Sequence, residues 1–200
     1  MSPSERVIDG LNVEDVESFQ GKMLEYYGKK GREFPWRTTD NDLHALVAEI
    51  MLQQTSYYQV EPQYRRFCER FQEPEDVLEA GDAELKSFFE GLGLESRSEY
   101  VKAAAKFLAS GEEITQENLL SVKGIGRYTA NAFLSVHLER RYPIVDGNVE
   151  RVFDENFDTT EFSTKDYWDL AWELLPKKQY RDYNLGLLDY GAELYGKNPD

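Results

Sequence analysis

Apolar residues recur every three or four positions along this chain, and no fold it adopts can ignore that spacing. In "NVEDVESFQGKMLEYYG" they stand at Val13, Val16, Phe19, Met23, Leu24 and Tyr27. They line one face of a helix, with Asn12 placed to cap it. "DLHALVAEIMLQQ" repeats the pattern. "YRRFCERF", "LKSFFEGLG", "SEYVKAAAKFLASG", "TQENLLSV", "YTANAFLSVHL", "GNVERVFDENF", "TKDYWDLAWELL" and "DYNLGLLDYGAELYG" continue it. Short polar or Gly/Pro breaks, such as "EFPWRTTDND" and "SGEEIT", separate these segments. No stretch alternates long enough to build a sheet, and no repeat period or low-complexity tract stands out. The spacing predicts an all-α chain.

Two hundred residues, 40% of them hydrophobic and 14% aromatic, supply a real apolar core for one domain or two small ones. No apolar run approaches the ~20 residues of a membrane span. The start, "MSPSERVIDG", has no apolar signal core, so a cytoplasmic protein is expected. The one cysteine, Cys68, supports neither an intrachain disulfide nor a multi-cysteine metal or cluster site. It falls on the apolar line of Tyr64, Phe67 and Phe71, where plain packing explains it. The formal charge of −15 and a pI near 4.6 argue against broad, nonspecific affinity for nucleic acid. Adaptation to a high-salt cytoplasm is one explanation, because strong screening weakens long-range repulsion. Nucleic acid would then be held by local donors, not by net charge.

Such donors are expected in "SVKGIGRYTANAF", residues 121–133: a short helix, a tight Gly-x-Gly turn, then a second helix. Gly124 and Gly126 permit backbone angles closed to other residues and let a ligand come close to the main chain. Amides at Ile125, Gly126 and the start of the next helix would form an anion site that positions a phosphate without reading sequence. A simple tight turn is the plainer reading of the same residues. A dinucleotide site is disfavoured, since no strand precedes the turn and the third glycine is missing.

Two carboxylates follow from local pattern. Asp146, twenty residues after Gly126, stands just before the apolar run Val149, Val152, Phe153 and is the expected cap of that helix. Helix dipole and backbone donors should hold it ionised, and capping alone would also explain it. Glu49 has Ala45, Leu46, Leu52 and Gln53 three and four positions away, three of them apolar. It is either exposed at a helix edge or held half-buried with a raised pKa. One acid held charged and one biased toward neutral is an arrangement that breaks a glycosidic bond.

In this order and spacing, "FPWR", "AEIMLQQT", "GIGRYTANAFLSV" and "VDGNVERV" resemble the helix-hairpin-helix base-excision DNA glycosylases of the endonuclease III superfamily, from about Phe34 to Ala192. The adenine glycosylase branch, which removes adenine mispaired with guanine or 8-oxoguanine, is the nearest likeness. The resemblance implies two helical domains. Residues 41–145 form a barrel carrying the hairpin, and residues 1–40 plus 146–200 form a terminal bundle. A base flipped out of duplex DNA enters a cleft between them. It implies that Glu49 protonates the departing adenine and that Asp146 stabilises the sugar cation and helps water attack. Gln53 and Gln54 enter the gap around the lesion, while Gly124, Ile125 and Gly126 bind phosphate. Lys123 and Arg127 are further phosphate contacts, though Arg127 equally suits a solvated helix face. Tyr128 stands where bifunctional members carry a lysine. A phenol forms no imine, so a monofunctional enzyme releasing an abasic site is expected.

The departures from the family pattern matter as well. The first of the four cysteines that hold an iron–sulfur cluster is matched by Tyr195, so no cluster, and no other cofactor, is expected. The hairpin reads "VKGIG" where Leu-Pro-Gly is usual. "LESRSEYV" replaces a tyrosine- and arginine-rich segment, and no 8-oxoguanine-reading domain is expected. These changes keep thymine/uracil glycosylases acting on T:G or U:G pairs as an alternative, which "YRDYNLGLLDYGA" also echoes. A non-catalytic DNA-binding module is a second alternative, and a protein-interaction scaffold a third. The expected partner is mismatched or damaged double-stranded DNA, bound by a monomer.

Overall fold

The computed structural model describes residues 2–90, 92, 96–194 and 196. Every regular element among them is helical. They run in chain order as α1 (Pro3–Gly10), α2 (Val13–Lys30), α3 (Asp42–Met51), α4 (Tyr57–Arg70), α5 (Pro74–Glu79) and α6 (Asp82–Ser87). Then come α7 (Arg97–Ala109), α8 (Gln116–Ser121), α9 (Arg127–Ala132), α10 (Gly147–Asn156), α11 (Thr164–Leu174) and α12 (Tyr180–Leu194). No described helix is long and apolar enough to cross a membrane.

Two helices escaped the periodicity argument because each is short and starts on its cap. Ser2 and Glu5 close a reciprocal capping box over α1, with Pro3 at its first position. Pro74 opens α5 in the same way, and Asp76 bonds back to the Glu73 amide. In both places the cap and the proline define the helix more than its apolar face does.

The chain forms two compact units, Met1–Arg32 with Leu138–Asp200, and Glu33–His137. The expected boundaries at 40/41 and 145/146 are displaced by eight residues, for packing reasons visible in each unit. Residues 33–40 belong with the central segment because Phe34 stacks on Trp36, and Trp36 meets Tyr64 of α4 edge-on. Residues 138–145 belong with the termini. There, Arg141 donates to the Leu175 and Pro176 carbonyls, and Asn184 of α12 donates to the Tyr142 carbonyl at 2.9 Å.

In the terminal unit α12 is the axis. It packs on α2 and α10, while α11 packs on α1 and α2. Phe19, Met23, Val149, Phe153, Trp168, Leu174, Tyr183 and Leu187 fill the interior. Gly191 is what lets α12 approach α10, since a Cβ there would strike the Asn148 carbonyl. Asp189, 1% exposed, receives the Arg32 amide at 2.9 Å and its guanidinium at 2.7 Å, fixing the end of α2 against α12.

In the central unit α3 is the buried element. Every residue from Leu43 to Met51 is buried, and α4, α7, α9 and the turn after α9 pack around it. A helix apolar on all sides belongs in a core, and this one carries a glutamate.

Candidate active site

Glu49 sits two residues before the end of α3, 6% exposed, so its position at an exposed helix edge is excluded. A buried carboxylate is costly to ionise without a partner. The group that meets it is His137, whose Nε2 lies 3.6 Å from Glu49 Oε1, with side-chain exposures of 3% and 7%. His137 closes a π-helical turn, Phe133–His137, that continues α9. Such turns insert one extra residue and redirect the side chains around them. Neither glycine nor proline marks this one in "FLSVH", so the sequence offered no signal for it.

Beyond α3 the chain makes a tight turn, with Gln54 exposed at φ 56°. Arg97 of α7, 1% exposed, holds this turn from beneath. Its guanidinium donates to the Met51 carbonyl at 3.2 Å, the Leu92 carbonyl at 3.3 Å, the Thr55 hydroxyl at 2.7 Å and the Gln53 carbonyl. Gln53 in turn reaches the hairpin. Its amide donates to the Gly124 carbonyl at 2.9 Å and to Thr129 Oγ1 at 3.2 Å. Gln53 therefore binds turn to hairpin in the free chain, and Gln54 is the glutamine presented to solvent.

The hairpin needs one correction. The Ile125 amide, expected among the outward donors, is committed to the Val122 carbonyl at 3.1 Å, and the Ile125 side chain is buried. The two glycines also differ. Gly124 has φ 87°, and a Cβ there would collide with the Tyr100 ring, so the fold itself demands glycine. Gly126 has an ordinary φ of −91° at the N-cap of α9, and a Cβ there would meet nothing within 4 Å. Arg127 beside it is exposed, and Tyr128 is half-buried. Lys123 is paired with Glu99 at 2.6 Å, both exposed; that hydrogen bond, more than the charge itself, raises the lysine pKa. Exposed pairs of this kind contribute little and exchange readily.

Asp146 caps α10 in the terminal unit as expected. Its Oδ1 accepts from the Asn148 and Val149 amides, both at 2.9 Å, and its Oδ2 from the Asn148 side chain at 3.1 Å. These donors favour the anion, as expected of a cap, but they do not set the direction of its pKa. Desolvation is the largest influence and raises its pKa, outweighing the amides, the Asn148 side chain and the Arg151 charge. Glu150, further along α10, moves the same way through burial and then the Asp146 charge.

Glu49, Gln53, Gln54, Lys123, Gly124, Ile125, Gly126, Arg127 and Tyr128 all lie in the central unit, and Asp146 in the terminal one. Pattern reading missed His137, Arg97, Thr129 and Asn148. Asn148 was the accessible one, since a donor two residues after a capping aspartate is a local motif. The 200 residues hold a single thiol, Cys68, which burial pushes up to about 11. Tyr195 lies outside the described residues.

A helix pair joined by a Gly-x-Gly turn, braced by Gln53 from the turn after α3, is the arrangement of the helix-hairpin-helix class of DNA-repair proteins. The HhH-GPD superfamily of base excision DNA repair proteins matches residues 47–177. The chain belongs to that family and is a DNA glycosylase, hydrolysing N-glycosidic bonds in base excision repair. The thymine/uracil-DNA glycosylase of Methanothermobacter thermautotrophicus is 28% identical over 183 residues, covering 87% of this chain and 83% of that protein. The adenine DNA glycosylase of Rattus norvegicus is 30% identical over 201 residues, covering 90% of this chain but only 39% of the rat protein. Among solved structures, a thermostable thymine-DNA glycosylase matches at a TM-score of 0.82 with 27% identity, covering 90% of this chain and 87% of that one. A trapped endonuclease III–DNA covalent intermediate shares the fold, at a TM-score of 0.79 with 20% identity.

Proposed function

We propose that this glycosylase is monofunctional, removes adenine paired with guanine or 8-oxoguanine, and leaves an abasic site. One observation carries the choice of base: the acid sunk in the apolar helix α3. Adenine departs once a ring nitrogen takes a proton, and a desolvated carboxyl group is suited to supply it. Thymine and uracil leave as anions, so their departure needs hydrogen bonds to carbonyl oxygens and not the full proton transfer that adenine uses. Asp146 serves the sugar end of the same bond, stabilising positive charge as the base leaves and directing water to the anomeric carbon. Tyr128 replaces the amine that a strand-cleaving mechanism requires.

The roles proposed for the binding residues follow from their surroundings. The fold gives no reason for glycine at position 126, and close approach of a DNA phosphate to the start of α9 supplies one. Arg127 and Lys123 flank that point, Lys123 exchanging Glu99 for phosphate. Gln54 is offered to the bases around the lesion, and Gln53 holds the hairpin in register behind it. No cofactor is required for this chemistry.

Excision of thymine or uracil opposite guanine is the second reading. It is favoured by the coverage of the archaeal relative, 83% of its length against 39% of the rat adenine enzyme. Duplexes carrying A:8-oxoG, A:G, T:G and U:G pairs, assayed at low and at multimolar salt, separate the two. Adenine release, with strand breakage only after alkali and no adduct captured by borohydride, is the expected result. Preferential release of thymine or uracil would transfer the proposal to the second reading. Binding without release from any duplex would leave a DNA-binding module.

A further inference from the structure

His137 has no structural reason to be histidine. Its ring is buried, and neither Nδ1 nor Nε2 has a hydrogen-bond partner among the described residues, whereas buried polar atoms in folded proteins nearly always have one. Phe133 packs against the ring, with centroids 5.9 Å apart, and an apolar side chain would fill the same space without two unmatched nitrogens. The π-helical turn aims this ring at Glu49, at 3.6 Å. Other titratable groups on the packed elements are placed elsewhere. On α3, Asp42 is exposed and His44 is held by the Phe71 carbonyl at 2.7 Å. On α9, Arg127 and Tyr128 lie nine or more residues upstream. Glu139 and Arg140, next in the chain, are exposed.

We infer that His137 is a positioning residue and proton reserve for Glu49, reloading the acid between or during excision events. The inference rests on the reading of Glu49 as the group that protonates the base. The gap of 3.6 Å exceeds a hydrogen bond by a few tenths of an ångström to about 0.8 Å, within reach of a side-chain adjustment. In the step itself the bond between C1′ and the base nitrogen breaks, and its electron pair leaves with the base. The Glu49 O–H proton passes to a ring nitrogen of that base. The imidazolium N–H of His137 then passes its proton to the Glu49 carboxylate and becomes neutral imidazole. Water adds its oxygen to C1′, and the proton it releases restores the imidazolium through solvent. The sum is water added across one bond.

The test uses the full chain with His137→Phe, which keeps a packed ring, and His137→Gln, which keeps a polar side chain. Single-turnover base release is measured against pH on the duplex the native enzyme cleaves best. Both variants should lose about tenfold or more in rate on the alkaline side, the difference shrinking as solution acid replaces the reserve. Thermal unfolding should change little for His137→Phe. Because the chain has only two histidines, ring NMR signals give an independent readout. Glu49→Gln should shift the ring signals of His137, which meets Glu49, and leave those of His44 in place. A His137→Phe pH profile parallel to the native one, with Glu49→Gln inactive, overturns the reserve and leaves Glu49 as the acid. An active Glu49→Gln enzyme removes the acid role itself, and the reserve with it.

Discussion

The two candidate acids are held by opposite means, Glu49 buried and Asp146 half-buried. Glu49 lies inside the most apolar helix of the central unit, where the titratable group that meets it is an imidazole at 3.6 Å. Asp146 lies at the start of a helix, with two backbone amides and the Asn148 amide closing on its oxygens. A carboxyl group gripped at both oxygens is held in place and poorly arranged to hand a proton on. One that faces a proton carrier is arranged for transfer. Burial alone would not separate an acid from an electrostatic stabiliser; the partners do.

The largest effects should come from removing the two acids, and they should differ in kind. Glu49→Gln is expected to slow adenine release by about 10²–10⁴-fold and to affect release of a base that leaves as an anion far less. Asp146→Asn keeps a capping side chain, so the fold should stand, while turnover falls by about two to three orders of magnitude for every base. The sugar it serves is the same in each case. Equal losses across adenine, uracil and thymine for Glu49→Gln would erase the proposed difference between the acids.

That difference was only half legible beforehand. The capping aspartate was readable because a cap is a local arrangement, fixed by residues two and three positions away. The direction of its pKa was not, because desolvation depends on what else packs around α10. Glu49 was readable as an anomaly among apolar neighbours, but its partner lies 88 residues along the chain, at the end of a π-helical turn that no glycine or proline announces. Arg97 was hidden for the same reason: its acceptors at Met51 and Gln53 are main-chain carbonyls of a distant turn, and carbonyls leave no mark in sequence. The helices themselves were plain from their spacing, except α1 and α5, whose signals were caps.

The support beneath the central unit offers a middle-sized effect. Arg97→Met keeps the length of the side chain and removes all its donors, so the buried Met51 carbonyl loses its guanidinium partner and the Leu92 carbonyl keeps only the Thr55 hydroxyl. A loss of ~2–4 kcal/mol by urea unfolding is expected, with weaker DNA binding through the loosened turn at Gln54. The hairpin glycines then divide structure from function. Gly124→Ala meets both a left-handed φ and the Tyr100 ring and should destabilise by ~1–3 kcal/mol. Gly126→Ala should cost less than ~1 kcal/mol in stability, yet lower affinity for duplex DNA, measured by fluorescence anisotropy. A Gly126→Ala protein that binds as well as the native one would assign the glycine to the turn alone.

The smallest effect is a separation on the pH axis, and it sharpens the contrast within the terminal unit itself. Asp146 and Asp166 both stand at helix starts. Asp166 accepts from Ser163 Oγ at 2.5 Å and Ser4 Oγ at 2.7 Å, and from the Ser163 amide at 2.9 Å, joining α1 to α11. The hydroxyl bonds of Ser163 and then Ser4 hold its pKa well below the ordinary range, whereas desolvation raises that of Asp146. The signs therefore oppose. Asp146 binds its proton more tightly in the folded chain than in the unfolded one, so protonating it removes the anion proposed for catalysis without lowering stability. Asp166 contributes stability that is complete above the unfolded aspartate value, near ~3.9, and is lost only as pH falls from there toward its lower folded value. Acidification should thus remove excision activity while the unfolding temperature is still level, and the melting curve should give way only at lower pH. Replacing Asp166 by Asn should lower the melting temperature near neutrality and flatten its acid decline, leaving the activity profile where it was. If activity and melting temperature instead fall together in the native protein, the acid limb belongs to unfolding, and burial does not set the charge of Asp146.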